Sequence, residues 1–83
     1  MKYKLTAGCK MQPIADEAVI TLKAGDIVVL NGSAAEVVQA LSRSACSPEE
    51  CAVCISGKYD VAEDIALDDV RRAFSRLRSV GII

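Results

Sequence analysis

Histidine and tryptophan are absent from this 83-residue sequence, and two tyrosines and one phenylalanine are its whole aromatic content. The missing histidine removes the commonest general base and the commonest metal ligand. With so few rings, a core has to be built from Val, Ile, Leu, Ala and Cys. Neither sign of charge dominates. Ten lysines and arginines face eleven carboxylates, so no overall basic field draws nucleic acid or anionic membrane to the chain. No apolar run approaches the roughly 20 residues of a membrane span. Met1-Lys2-Tyr3-Lys4 leads into no hydrophobic stretch, so no secretory signal is expected. The expected location is the cytoplasm, where the four cysteines stay reduced. Glycine-rich phosphate loops and nucleophile motifs are also missing, and the carboxylates gather at helix starts, where they complement the helix dipole. The chain is not expected to be an enzyme.

What is present fits one small globular domain over residues 1–83, with 52% apolar and 25% charged residues. Its first third reads as strands. Cys9 to Ile14 is a short candidate that Pro13 restricts to an edge or an end. Ala18-Val19-Ile20-Thr21-Leu22 and Ile27-Val28-Val29-Leu30 are β-branched runs of matching length. They are separated by the turn chemistry of Lys23-Ala24-Gly25-Asp26 and predict a hairpin.

Beyond Leu30 the apolar period lengthens. Asn31 or Ser33 is placed to cap a helix whose inward residues are Ala34, Val37, Val38 and Leu41, ending by Ser44. Ser47-Pro48-Glu49-Glu50 combines a capping hydroxyl, a first-turn proline and a glutamate at N3. This second helix would turn Cys51, Cys54 and Ile55 inward and stop at Gly57. A third begins within Ala62-Glu63-Asp64 and carries Ile65, Leu67, Val70, Phe74 and Leu77 on its apolar face. Its acids come early and its arginines late, as the helix dipole favours. Gly81 is the expected C-cap, with Ile82-Ile83 folding back on the core. The predicted class is α+β and winged-helix-like: a small antiparallel sheet of two or three strands followed by a three-helix bundle.

Four landmarks recur in order: Leu30-Asn31-Gly32-Ser33-Ala34 at a strand-to-helix junction, Ser47-Pro48-Glu49-Glu50-Cys51, Tyr59-Asp60-Val61, and Asp69-Val70…Phe74…Leu77-Arg78-Ser79-Val80-Gly81-Ile82-Ile83. From Asp26 to the end, their order and spacing resemble the PqqD-like family, the precursor-peptide recognition elements. Two departures are Cys51 at a position the family makes aliphatic and the scarcity of aromatics, which bears on the side chains a groove accepts. The resemblance implies a non-catalytic, cofactor-free protein that binds the leader of a ribosomally made precursor peptide. It would present that peptide to a maturation enzyme, either a radical S-adenosylmethionine protein or a leader peptidase and cyclase, in a pathway like that of lasso peptides or pyrroloquinoline quinone. The leader would add as a strand along Ile27, Val28, Val29 and Leu30, with Leu67, Val70, Arg71 and Phe74 as groove residues of the last helix. Ile27 to Leu30 and the stripe Val70, Phe74 and Leu77 are also natural core positions.

Two other constellations carry less weight. Cys46, Cys51 and Cys54 with distant Cys9 have spacings compatible with a metal, yet two of them fall on the apolar face of a capped helix, where cysteine acts as a small hydrophobe. No metal is expected. Arg71, Arg72, Arg76 and Arg78 suggest a winged-helix nucleic-acid-binding or regulatory protein as the alternative function, but Asp68 and Asp69 share their helix. The same arginines would suit an acidic leader or an acidic patch on a partner. A dimerising adaptor, with the exposed strand paired to its own copy, is a third reading. Monomer and dimer are both open.

Overall fold

The computed structural model describes residues 1–83. Three strands come first, β1 Lys10–Ile14, β2 Glu17–Thr21 and β3 Ile27–Leu30, followed by α1 Gly32–Arg43, α2 Pro48–Tyr59 and α3 Glu63–Ser79. The strands form one antiparallel sheet in the order β1-β2-β3. Ala18 and Ile20 of β2 and Leu30 of β3 bury their side chains under the helices, while the alternate residues Val19 and Val29 face the other side. That alternation follows from the period of two along a strand.

The helices form because their small and branched apolar residues recur every three or four positions. The buried faces of α1 (Ala34, Val37, Val38, Leu41) and α3 (Ala66, Val70, Ala73, Phe74, Leu77) close the core over the sheet. Alanines fill many of these places, and the single phenylalanine meets Tyr3 edge to face at 5.2 Å between ring centroids. The predicted class and element order are those observed.

Helix ends follow local chemistry. The Ser47 hydroxyl accepts from the Glu50 N–H (3.1 Å), and the Glu50 carboxylate accepts from the Ser47 N–H (2.9 Å), completing the expected capping box. That backbone hydrogen bond, more than any charge, holds the Glu50 carboxyl below its usual range. At the far end α2 runs through Gly57 to Tyr59 instead of stopping at the glycine. A glycine inside a helix costs only about 1 kcal/mol relative to alanine. The left-handed stop is Asp60, whose N–H reaches the Ser56 carbonyl, while the Ser56 hydroxyl donates to the Val61 carbonyl. In α1, Asn31 is the extended N-cap residue but its side chain makes no capping bond. The chain turns from β3 into α1 through Gly32 at φ 58°, a backbone region that favours glycine.

After α3, Gly81 at φ 82° donates to the Arg78 carbonyl and Ile82 donates to the Leu77 carbonyl, the paired bonds of a Schellman ending. Ile82 is fully buried, and its carbonyl accepts from Thr6, tying the N-terminal segment to the end of α3. No helix is long and apolar enough to cross a membrane.

Candidate functional site

β3 is an edge strand, and its register identifies which backbone groups are free. In antiparallel pairing, opposed residues alternate between exchanging hydrogen bonds and exchanging none. Leu22 donates to the Asp26 carbonyl at 2.8 Å, and the register continues Ile20–Val28 and Ala18–Leu30. Val28 and Leu30 therefore direct their N–H and C=O groups to β2. Ile27 and Val29 direct theirs outward, and no turn or loop backbone group bonds them. Their side chains are also 67% and 54% exposed.

Beside the end of β3, a cleft of about 290 Å³ separates Asn31–Ala34 from α3. The α3 side chains that line it are Asp69, Arg72, Ala73 and Arg76. Arg72 is paired with Asp68 and, at 3.5 Å, with Asp69. The hydrogen bond to Asp68 raises the pKa of its guanidinium. The cleft continues past Gly32, Ser33 and Asp69 into a second of about 440 Å³, reaching Ile55, Tyr59 and Val61 near the end of α2. There Glu36 joins α1 to α2, accepting from the Tyr59 hydroxyl at 2.5 Å and from Lys58 at 3.2 and 3.3 Å. These hydrogen bonds raise the pKa of both Lys58 and Tyr59.

The eight residues expected at the site divide. Ile27 and Val29 stand at the open edge, Val28 is half-buried and Leu30 is buried beneath the helices. On α3, Val70 is fully buried and Phe74 only 5% exposed, so both side chains belong to the core. Leu67 is half-buried against that core, and Arg71 lies 3.9 Å from Glu49 at the start of α2. Ile65, expected on the apolar face, is 55% exposed. None of the four α3 residues that line the cleft is among those eight; Arg72 and Arg76 entered only with the arginines suited to an acidic leader, and Asp69 and Ala73 were not expected there. The available signal was the spacing 69-73-76, which puts them on one flank of the helix at i, i+4 and i+7.

The cysteines separate by burial. Cys51 is buried and Cys54 exposed, contrary to the inward placement expected of both. Desolvation pushes the Cys51 thiol up to about 12, aided by the neighbouring Cys46 thiol. No three Cys, His, Asp or Glu side chains come together as a metal-holding group.

Two solved structures share this architecture. "TbiB1 in Complex with the TbiA(beta) Leader Peptide" matches with a TM-score of 0.83 at 21% identity, covering 96% of this chain and 93% of that chain. "Lasso peptide synthetase B1 complexed with the leader peptide" matches with a TM-score of 0.76 at 24% identity, covering 95% and 93%. At these identities the likeness is one of fold. No curated protein sequence matches the chain. Residues 17–83 match the family described as Coenzyme PQQ synthesis protein D (PqqD), and with most of its length matched the chain belongs to the PqqD family.

Proposed function

We propose that this protein binds the leader segment of a ribosomally synthesised precursor peptide as an added strand on β3. It then presents the peptide to a maturation enzyme, itself non-catalytic, with residues 1–83 acting as one recognition domain. The observation that carries this reading is the free edge: Ile27 and Val29 offer two donors and two acceptors beside a cleft bounded by α3. Membership of the PqqD family supports it, as do two relatives in fold whose structures hold leader peptides.

In strand addition, main-chain hydrogen bonds supply affinity and alternate side-chain pockets supply selectivity. Ile27 to Leu30 remains the proposed pairing segment, with the inward side chains of Val28 and Leu30 supporting it. For α3 we assign the groove wall to Asp69, Arg72, Ala73 and Arg76. Val70 and Phe74 support that wall from the core, Leu67 lies against the core, and Arg71 lies toward α2.

The test is calorimetric titration with the leader of the short precursor encoded nearest the gene. Binding is expected for the native chain, with at least a tenfold loss in Val29→Pro, which removes one outward N–H and leaves the ladder to β2 intact. Equal affinity in the two proteins would contradict strand addition on β3.

A further inference from the structure

The two connected clefts beside α3 carry opposite charge. Toward the C-terminal half of α3, Arg72 and Arg76 line the smaller one. Arg72 is occupied by Asp68 and Asp69, whereas Arg76 has no carboxylate partner. Toward the start of α3, the larger cleft has Asp16, Glu36 and Asp69 among its walls, and neither lysine nor arginine lines it. Ile55, Val61 and Ala66 give it an apolar floor. Glu36 is bonded by Lys58 and Tyr59, but Asp16 has no cation partner. An apolar floor under a carboxylate rim suits a long aliphatic stem with a cationic tip, the way lysine and arginine cover apolar surface while keeping their charge at the rim.

Resting on the peptide-binding reading above, we propose that this groove reads the charge order of its ligand. The peptide places a carboxylate against Arg76 and a lysine or arginine in the larger cleft, its stem on Ile55, Val61 and Ala66 and its cation toward Asp16. The separation follows from geometry. Ala66 and Arg76 are ten residues apart on one helix, about 15 Å along its axis. Extended chain covers that distance in about four to five residues. Reversing the charges puts like against like at both ends, so the order sets the direction in which the peptide lies as well as its register.

The test is selection from a displayed library of random 16-residue peptides, on the native chain and on Arg76→Glu and Asp16→Asn. Both positions are exposed, and circular dichroism of each variant checks the fold. Native-chain binders should carry an acidic and a basic residue about four to five apart, always in one order. Arg76→Glu should replace the acidic preference with a basic one and leave the other position unchanged. Asp16→Asn should relax only the basic preference. Reversing the two charges in a selected peptide should weaken binding roughly tenfold. Binders with no charge order would overturn the proposal while leaving strand addition standing. No binders at all would overturn both.

Discussion

The sheet has two free edges, and they are built differently. On β1, pairing with Glu17, Val19 and Thr21 takes up the polar groups of Ile14, Gln12 and Lys10, leaving Met11 and Pro13 outward. Pro13 has no N–H to offer, and Lys10 adds a charge beside it. Those are standard ways to keep an edge from recruiting another strand. On β3 the outward residues are Ile27 and Val29, both with N–H intact, and the strand carries neither charge nor proline. A long-standing exposed edge of this kind is an aggregation hazard. One edge is protected and the other left open, which is the arrangement a strand-adding partner requires.

The contrast is broken most severely by moving proline one residue within β3. Val28→Pro removes an N–H aimed at Ile20 and strands a buried acceptor, so it should cost about 1–3 kcal/mol of stability, read in a urea melt. Val29→Pro should cost far less stability yet lower leader affinity at least tenfold. Equal effects of the two on stability would show the register argument to be wrong.

The support behind β1 gives the next effect. Its N-terminal lead-in is tied to the start of α2 by the reciprocal Tyr3–Cys46 backbone bonds and by Lys2 with Glu50 at 3.5 Å. Ser47→Ala, which removes the cap there, should cost about 1 kcal/mol by thermal or chemical melting. Glu50 has a lowered folded-state pKa, so its contribution is present above the ordinary value of 4.5 and is lost as pH falls through the folded value. The gap between native and Ser47→Ala melts should therefore narrow in acid, and a constant gap would count against the capping box. Smallest of all, Pro13→Val restores a donor to the β1 edge and should raise self-association only slightly, measured by sedimentation, because Lys10 remains.

Much of this was legible in the sequence. The run Ile27-Val28-Val29-Leu30 is β3 to the residue, and the strand that Pro13 restricted to an edge or an end is the edge strand β1. Ser47-Pro48-Glu49-Glu50 located the start of α2, and Gly81 the turn after α3. The groove's far wall was not legible. Periodicity identifies the buried stripe Val70–Phe74–Leu77, but both flanks of that stripe look alike until the helix is docked. Docking places Asp69, Ala73 and Arg76 toward Asn31–Ala34, where β3 passes into α1, and Arg71 toward Glu49. Gly57 misled for a local reason: one glycine is tolerated in a helix, and Asp60 supplies the left-handed turn three residues later.

Backbone amide exchange, resolved residue by residue by NMR, tests the open edge most directly. In the free chain, Val28 and Leu30 should be protected by β2 while Ile27 and Val29 exchange fast. Saturation with the leader, or with a peptide selected on the native chain, should protect Ile27 and Val29 and leave Met11 unchanged. Tight binding that leaves the Ile27 and Val29 amides as exposed as before would contradict strand addition at β3.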